Sequence, residues 1–177
     1  MLRWLCLGGA LMTVVACTQA EVTTPPVAIQ PKAPGAVGID VYARDRAAGN
    51  PVPRFRGQET LIVRTTGKTA GGGFGELTGV PCTLDSGLYT ASLRTPANVN
   101  VPDYGPNSPA LFIRCVHPDG RSGSTTINTF NVTARERGNA AAGTGLLGAI
   151  VIGAVNAANT NPEKDEFKYP AVTIPLK

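Results

Sequence analysis

The sequence predicts a mainly β protein with the architecture of a small β-sandwich. Short runs of alternating apolar and polar residues recur along the chain, and strands that bury one face have this period of two. Clusters of turn residues separate the runs, and the 177 residues include 21 Gly and 15 Pro. Two cysteines, Cys82 and Cys115, lie within such runs and allow a covalent link between core strands. Together these observations favour an immunoglobulin-like or transthyretin-like sandwich, in which turns join many short strands.

The predicted strands follow one another from residue 38 to the C-terminus. In order, they are GIDVYA (38–43), TLIVRT (60–65), VPCTL (80–84), LYTASL (88–93), ANVNV (97–101), ALFIRCV (110–116), TTINTFNV (125–132) and AVTIPL (171–176). The intervening text, such as RAAGNP, TAGGGFG and PDGRSG, is rich in residues that interrupt regular structure. Within ALFIRCV, Leu111, Ile113 and Cys115 share one face, which is therefore predicted to point into the core.

The first residues have the order of a secretory signal peptide. Arg3 supplies a positive start, residues 5–15 are apolar, and a small residue, Ala16, comes directly before Cys17. This pattern assigns residues 1–16 to a signal peptide that is not part of the fold. The sequence Val14-Val15-Ala16-Cys17 resembles the lipobox of bacterial lipoproteins, in which the cysteine is acylated and becomes the new N-terminus. The resemblance implies that Cys17 is lipidated and that it holds the chain at a membrane.

Residues 17–36 are predicted to form a tether between the lipid and the folded domain. This stretch is polar and contains several prolines, which favour the extended polyproline II conformation of a semi-rigid spacer. The residue after the cysteine is Thr18 rather than Asp, and by the sorting habit of this family it implies an outer-membrane destination. The expected location is therefore the periplasmic side of the outer membrane, with residues 37–177 as the β-sandwich domain.

Cysteine usage indicates one disulfide. The chain has four cysteines, of which Cys6 would be removed with the signal peptide and Cys17 would carry lipid. The remaining pair, Cys82 and Cys115, is expected to be oxidised in an exported protein, with two buried free thiols as the alternative. Together with the single histidine, His117, these cysteines cannot supply the four ligands of a zinc site. No metal or other cofactor is therefore predicted, and His117 in HPDG is interpreted as a solvated turn residue.

An uncharged, Gly/Ala-rich segment extends from 138 to 162, before the last strand. Its uninterrupted apolar part, residues 145–155, is shorter than the roughly 20 residues that span a bilayer. At helical spacing its small residues form one ridge, namely Ala141, Gly145, Ala149, Gly153 and Ala157. This ridge predicts a helix or helical hairpin packed closely on the β-domain. Insertion into a membrane, association with a second copy and a Gly-rich loop remain alternatives.

Catalytic and nucleotide-binding motifs fail on inspection. RTTGKT (64–69) lacks the first glycine of a phosphate-binding loop, because Ile62 occupies that position. GTGLLG (143–148), with Asp165 downstream, has the letters of a dinucleotide fingerprint, but no strand leads into it. The acidic residues that could be paired as acid and base lie in turns and are expected to be solvated; these are Asp103, Asp119, Glu163 and Asp165. The sequence therefore predicts no enzyme.

The remaining expectations concern partners. The net charge is +4, but the basic residues are scattered rather than clustered, so no nucleic-acid partner is predicted.

The mature chain is similar to some bacterial lipoproteins in the order of its marked features, a resemblance that carries no catalytic residue with it. These features are Cys82, Thr95-Pro96, Cys115, the Gly/Ala-rich segment and Tyr169-Pro170. We expect an accessory, structural or binding component of the cell envelope with an envelope protein as partner. The alternative is a binder of an external target, such as an inhibitor of a hydrolase.

Overall fold

A computed structural model describes residues 19–141 and 160–177 of the chain. Its elements are β1 (Val27–Ala28), β2 (Gln30–Pro31), α1 (Ala43–Ala47), β3 (Gly57–Lys68), β4 (Phe74–Leu77), β5 (Pro81–Asp85), β6 (Tyr89–Arg94), β7 (Ala97–Asp103), a 3₁₀ turn (Gly105–Asn107), β8 (Leu111–Val116), β9 (Ser122–Ile127), β10 (Phe130–Asn131), α2 (Val132–Ala141), β11 (Phe167–Lys168) and β12 (Val172–Pro175). The predicted signal peptide (1–16), Cys17 and most of the Gly/Ala-rich segment lie outside the described residues.

Two five-stranded sheets account for most of the fold. The first sheet has the order β1-β7-β3-β12, with β4 also paired to β3, and the second has the order β2-β6-β5-β8-β9. Neighbouring strands are antiparallel except for two parallel pairs, β1 with β7 and β12 with β3. A separate two-stranded ribbon joins β10 to β11. The predicted mainly β sandwich is confirmed.

The core lies between the two sheets and follows the predicted period of two. On β3, Leu61 and Val63 are buried while Ile62 between them faces outward. On β8, Leu111, Ile113 and Cys115 are all fully buried, which confirms the predicted inward face. Burying these side chains removes apolar surface from water, and this is the main stabilising contribution to such a sandwich.

The N-terminal segment lies on the sandwich well before residue 37. Strand β1 pairs with β7 of the first sheet and β2 pairs with β6 of the second, so the segment crosses one open edge of the sandwich. Pro31 is tolerated there because an edge strand does not need every backbone donor. Residues 27–31, which the sequence assigns to the tether, therefore belong to both sheets and cover an otherwise unpaired edge.

The C-terminus closes the opposite side. Strand β12 pairs with β3, and beyond it Lys177 exchanges two backbone hydrogen bonds with Ser122 of β9, with N–O distances of 3.0 and 3.1 Å. The two backbones approach closely at Gly123, where a Cβ atom would overlap the carbonyl oxygen of Pro175. Glycine at this position therefore allows the first sheet to meet the edge of the second.

Several local predictions are wrong. The segment 38–43 is not a strand, because Asp40 accepts the backbone N–H of Ala43 and of Tyr42 and closes a turn that leads into α1. The run 125–132 divides into β9, β10 and the start of α2, where the Asn131 side chain caps the helix by accepting the N–H of Ala134 at 2.8 Å. The turn predicted over residues 69–75 is shorter, because Phe74 and Gly75 begin β4, which pairs with β3.

Of the predicted Gly/Ala-rich segment, the structure describes only residues 138–141 and 160–162. Helix α2 starts at Val132, before the predicted start of the segment at 138, and its last described residue is Ala141. The other ridge residues, Gly145, Ala149, Gly153 and Ala157, lie outside the described residues, and so does the motif at 143–148. Within the described ranges, no helix combines the length and apolarity needed to cross a membrane.

Candidate functional site

An open groove of about 590 Å³ lies beside the N-terminal segment on the second sheet. It is bounded by residues 24–27, the start of β5, the end of β6 and the end of β8. Its polar lining consists of Thr24, Thr83, Ser92, Arg94 and Arg114. Apolar atoms from prolines and from Val116 complete the walls, so the groove combines a few polar groups with apolar surface, as binding sites do.

Strand register places the polar groups of this groove side by side. Ser92 of β6 is opposite Thr83 of β5, and Thr83 is opposite Arg114 of β8. Directly opposed side chains in an antiparallel sheet have Cβ atoms about 5 Å apart. The row lies on the outer face because the alternate residues of these strands fill the core. Two hydroxyl groups and a guanidinium group are thus presented together to solvent.

The groove is basic. Arg94 donates one hydrogen bond to the carbonyl oxygen of Gly79 at 3.0 Å, and Arg114 has no ion pair within the part of the chain that the structure describes. None of the described residues that line the groove is acidic. Guanidinium groups bind carboxylates and phosphates through paired N–H donors. The groove therefore suits a ligand with an anionic group for the arginines and with neighbouring polar groups that can hydrogen-bond to the hydroxyls.

The disulfide supports the floor of the groove. Cys82 and Cys115 are opposite each other on β5 and β8, with a Cα–Cα distance of 4.1 Å, and their sulfur atoms are bonded. The predicted pairing is confirmed, and it links neighbouring strands of one sheet. Because Cys82 lines the groove and Cys115 precedes Val116, the bond fixes the two strands that carry Thr83 and Arg114.

A second pocket, of about 540 Å³, lies where β3 turns into β4 and β8 turns into β9. His117 Nδ1 is 2.8 Å from a carboxylate oxygen of Asp119, and Arg121 contacts the other oxygen at 2.7 Å. The Arg121 guanidinium holds the pKa of the exposed Asp119 carboxyl below its usual range. Arg121 also donates to the backbone carbonyl of Lys68 at 2.8 Å, so the turn is tied to β3.

Among the described residues, this histidine–aspartate pair lacks one part of a nucleophilic catalytic set. Nucleophilic catalysis needs a hydroxyl or thiol within hydrogen-bond reach of the base. Among the residues that the structure describes, no hydroxyl or thiol group is hydrogen-bonded to His117. His117 lies in a turn as predicted, half-buried against Asp119. Likewise, no cluster of three His, Cys, Asp or Glu residues suited to a metal occurs in the described ranges.

The other acidic residues singled out in the sequence do not gather with Asp119. Asp103 accepts the N–H of Gly105 at the opposite end of the sandwich, and Glu163 is exposed. Asp165 is not solvated as predicted, since only 5% of it is exposed. It accepts hydrogen bonds from Asn131 at 2.7 Å and from the N–H of Asn161 at 3.1 Å. The hydrogen bond from the Asn131 side chain is the main cause of the lowered pKa of Asp165. The role of Asp165 is to fix residues 160–168 against α2.

One unusual carboxyl, Glu59, was missed by the sequence analysis. Burial raises its pKa to about 7, although its carboxylate accepts the N–H of Tyr169 at 3.2 Å. The signal was present in the sequence, because Glu59 continues the inward alternation of Leu61 and Val63 on β3. Among the described contacts of Glu59, none is with a group that could react with it. We therefore assign Glu59 to the packing at the end of the sandwich where β3 begins.

No family model, no curated protein and no solved structure matches the chain. Its function is therefore inferred from the geometry of its own residues.

Proposed function

We propose that the protein is a lipid-anchored binding module of a bacterial cell envelope, without enzymatic activity. In this proposal the basic groove holds an acidic segment of an envelope partner protein. The signal-peptide pattern and the cysteine at position 17 support export and anchoring. The Cys82–Cys115 disulfide supports an oxidising compartment, where such bonds persist. The residue after the cysteine, Thr18, supports the outer membrane as the destination.

The observation that carries the binding role is the pair of arginines in the groove. Arg94 and Arg114 are directed to a shared concave surface without an acidic neighbour among the lining residues described. Exposed Val116 lies next to Arg114 on the same face of β8, and a mixture of arginine and apolar surface is typical of protein interfaces. A rigid, disulfide-linked pair of strands pre-organises this surface, which reduces the entropy lost on binding.

Anchoring is tested by cell fractionation and mass spectrometry. The wild-type protein should partition with membranes, and its N-terminal peptide should carry an acylated Cys17. The variant Cys17→Ala should appear as a soluble or unprocessed form. If that variant partitions with membranes like the wild type, lipidation is not what holds the protein.

The binding role is tested by site-specific photo-crosslinking in intact cells. A photoreactive residue replaces Thr83 in the groove or, as a matched control, Thr126, which is exposed on the same sheet but outside the groove. An envelope protein should be captured from position 83 and not from position 126. Capture should be lost when Arg94→Glu and Arg114→Glu are combined, and it should persist with the exposed control Arg54→Glu.

Two results would contradict this proposal. Equal capture from positions 83 and 126 would mean that the groove is not the contact surface. Capture of a secreted hydrolase instead of an envelope component would replace the accessory role with the alternative, an inhibitor of an external enzyme.

A further inference from the structure

We infer that the hairpin end of the sandwich, formed by β3, β4 and the turn between them, rests directly on the lipid bilayer with Phe74 at the membrane interface. This inference rests on the proposed lipidation of Cys17. It adds a defined orientation of the domain, which the lipid anchor alone does not provide.

The chain is already fixed to the hairpin end at Ala20. The backbone N–H of Ala20 donates to Glu76 at 2.8 Å, and its carbonyl oxygen accepts from Arg64 at 2.9 Å. Arg64 and Glu76 pair with each other at 2.5 Å, and both side chains are mostly buried. Ala20 therefore has both of its backbone polar groups bound to neighbouring side chains of β3 and β4, and it cannot act as part of a free tether.

The length of chain between the lipid and this contact is short. Cys17 precedes Ala20 by three residues, which span at most about 10 Å when fully extended. Glu76 and Phe74 lie on the same face of β4, with Cα atoms about 7 Å apart. With the Ala20–Glu76 contact added to these two steps, the acylated cysteine would lie within roughly 25 Å of Phe74. The three residues between the lipid and Ala20 leave little room for another protein between the hairpin end and the bilayer.

The surface chemistry of the hairpin suits a bilayer. Phe74 is 75% exposed, and Lys68, its partner in the β3–β4 register, is exposed and has no ion pair in the described part of the chain. The turn between them, residues 69–73, contains only Thr, Ala and Gly. Two nearby acidic groups are paired, Glu76 with Arg64 and Asp119 with Arg121, whereas Glu21, next to Ala20, is exposed. An aromatic ring beside a lysine is the combination that membrane interfaces favour, and lysine also attracts anionic lipids.

The test uses the full-length, lipidated protein with a single tryptophan introduced by Phe74→Trp. The chain has one tryptophan, Trp4, which would be removed with residues 1–16, so the introduced ring is the only one in the processed protein. The protein is reconstituted into vesicles of phosphatidylethanolamine and phosphatidylglycerol that carry brominated acyl chains. Tryptophan emission from Phe74→Trp should shift to shorter wavelength and lose most of its intensity to the brominated lipid.

The matched control is Val37→Trp. Val37 is 83% exposed and precedes α1 at the opposite end of the sandwich, so its emission should be almost unaffected by brominated lipid. Both positions are at the surface, and equal thermal unfolding of the two variants verifies their folding. If the protein is acylated and bound to vesicles but Phe74→Trp is not quenched, or both variants are quenched equally, the orientation is wrong and the anchor stands. If mass spectrometry finds no lipid on Cys17, the anchor and the orientation both fail.

Discussion

At the hairpin end, the ion pairs between β8 and β9 are local and partly exposed, because His117, Asp119 and Arg121 belong to one turn, and Phe74 projects into solvent. At the other end, which we call the tyrosine end after Tyr89, Tyr104 and Tyr169, contacts join segments that are distant in the sequence. The Tyr104 hydroxyl accepts the N–H of Val41 at 2.9 Å and donates to Asp40 at 3.0 Å. The Tyr169 hydroxyl donates to the carbonyl oxygen of Pro109.

This difference indicates that the two ends of the small sandwich are held together in different ways. The tyrosine end is sealed by aromatic packing, with the rings of Tyr42 and Tyr104 centred 5.1 Å apart and Phe55 close by at 5.9 Å from Tyr104. Arg56 adds hydrogen bonds to the backbone of residues 162 and 165. The hairpin end depends on the disulfide, on hydrogen bonds within the turn from His117 to Arg121, and on the links from Arg121 to β3 and from Ala20 to β3 and β4. Phe74 remains exposed there and is available for an external surface.

The largest effect should come from removing the disulfide near the hairpin end. The bond closes a loop with a sequence separation of 33, and a loop of this size stabilises the folded state by about 3–4 kcal/mol in the chain-entropy model. The double variant Cys82→Ala/Cys115→Ala should lose about this much free energy of unfolding in a urea titration. Reduction of the wild type should give a similar shift, and an unchanged urea midpoint would contradict the prediction.

The second effect tests the tyrosine end. Tyr104→Phe leaves the ring in place but removes the hydroxyl that serves both Val41 and Asp40. A buried donor without its partner typically costs about 1–3 kcal/mol, so the free energy of unfolding should fall by that amount. Tyr42→Phe is the matched control, because the Tyr42 hydroxyl has no hydrogen bond among the described residues. Equal losses for the two variants would mean that ring packing, rather than the hydroxyl network, holds this end.

The sequence predicted the parts of the fold that depend on local periodicity. Strands β3, β5, β6, β7, β8 and β12 were found because, over the predicted runs, each alternates between more buried and more exposed residues. The disulfide followed from the number of cysteines and their place in such strands. The orientation of the tyrosine end could not be predicted, because Tyr104, Asp40 and Val41 are brought together by tertiary packing rather than by spacing.

The errors have related physical causes. The run 38–43 alternates like a strand, yet Asp40 accepts local N–H groups and so competes with strand pairing. Strand β4 was missed because the glycines before it, at 71–73, and Gly75 within it hide the alternation, and β3 provides its partner. The groove could not be predicted from the sequence either, because Arg94 and Arg114 come together only through the register of β6, β5 and β8.

A smaller, pH-dependent effect is expected at Glu59. Its pKa in the folded protein is about 7, above its ordinary value of 4.5, so the folded state binds this proton more tightly than the unfolded state. Its contribution to stability is complete below pH 4.5 and is lost as the pH rises through 7. Glu59→Gln keeps an acceptor for the Tyr169 N–H and removes the charge. The variant should therefore match the wild type in Tm at low pH and exceed it at pH 8.

The gain should be modest because Glu59 is only partly buried and solvent screens its charge. We expect on the order of 1 kcal/mol, or a few degrees in Tm. Glu163→Gln, a change to an exposed carboxylate at the same end, should leave the curve of Tm against pH parallel to that of the wild type. A constant difference between Glu59→Gln and the wild type at all pH values would contradict the assignment.

The smallest effect is expected at Asp119, although its pKa is lowered in the folded protein. A carboxyl whose pKa is lowered by folding stabilises the protein above its unfolded value of 3.8 and loses this contribution as the pH falls. Asp119 is exposed, however, and exposed ion pairs are screened by water and salt and limited by side-chain entropy. Asp119→Asn also keeps a side-chain oxygen for the backbone N–H of Arg121, which it accepts at 3.1 Å. Its Tm at pH 7 should therefore equal that of the wild type within error, at low and at high salt. A loss as large as that of Tyr104→Phe would show that surface charge holds the hairpin end together, and the contrast between the two ends would disappear.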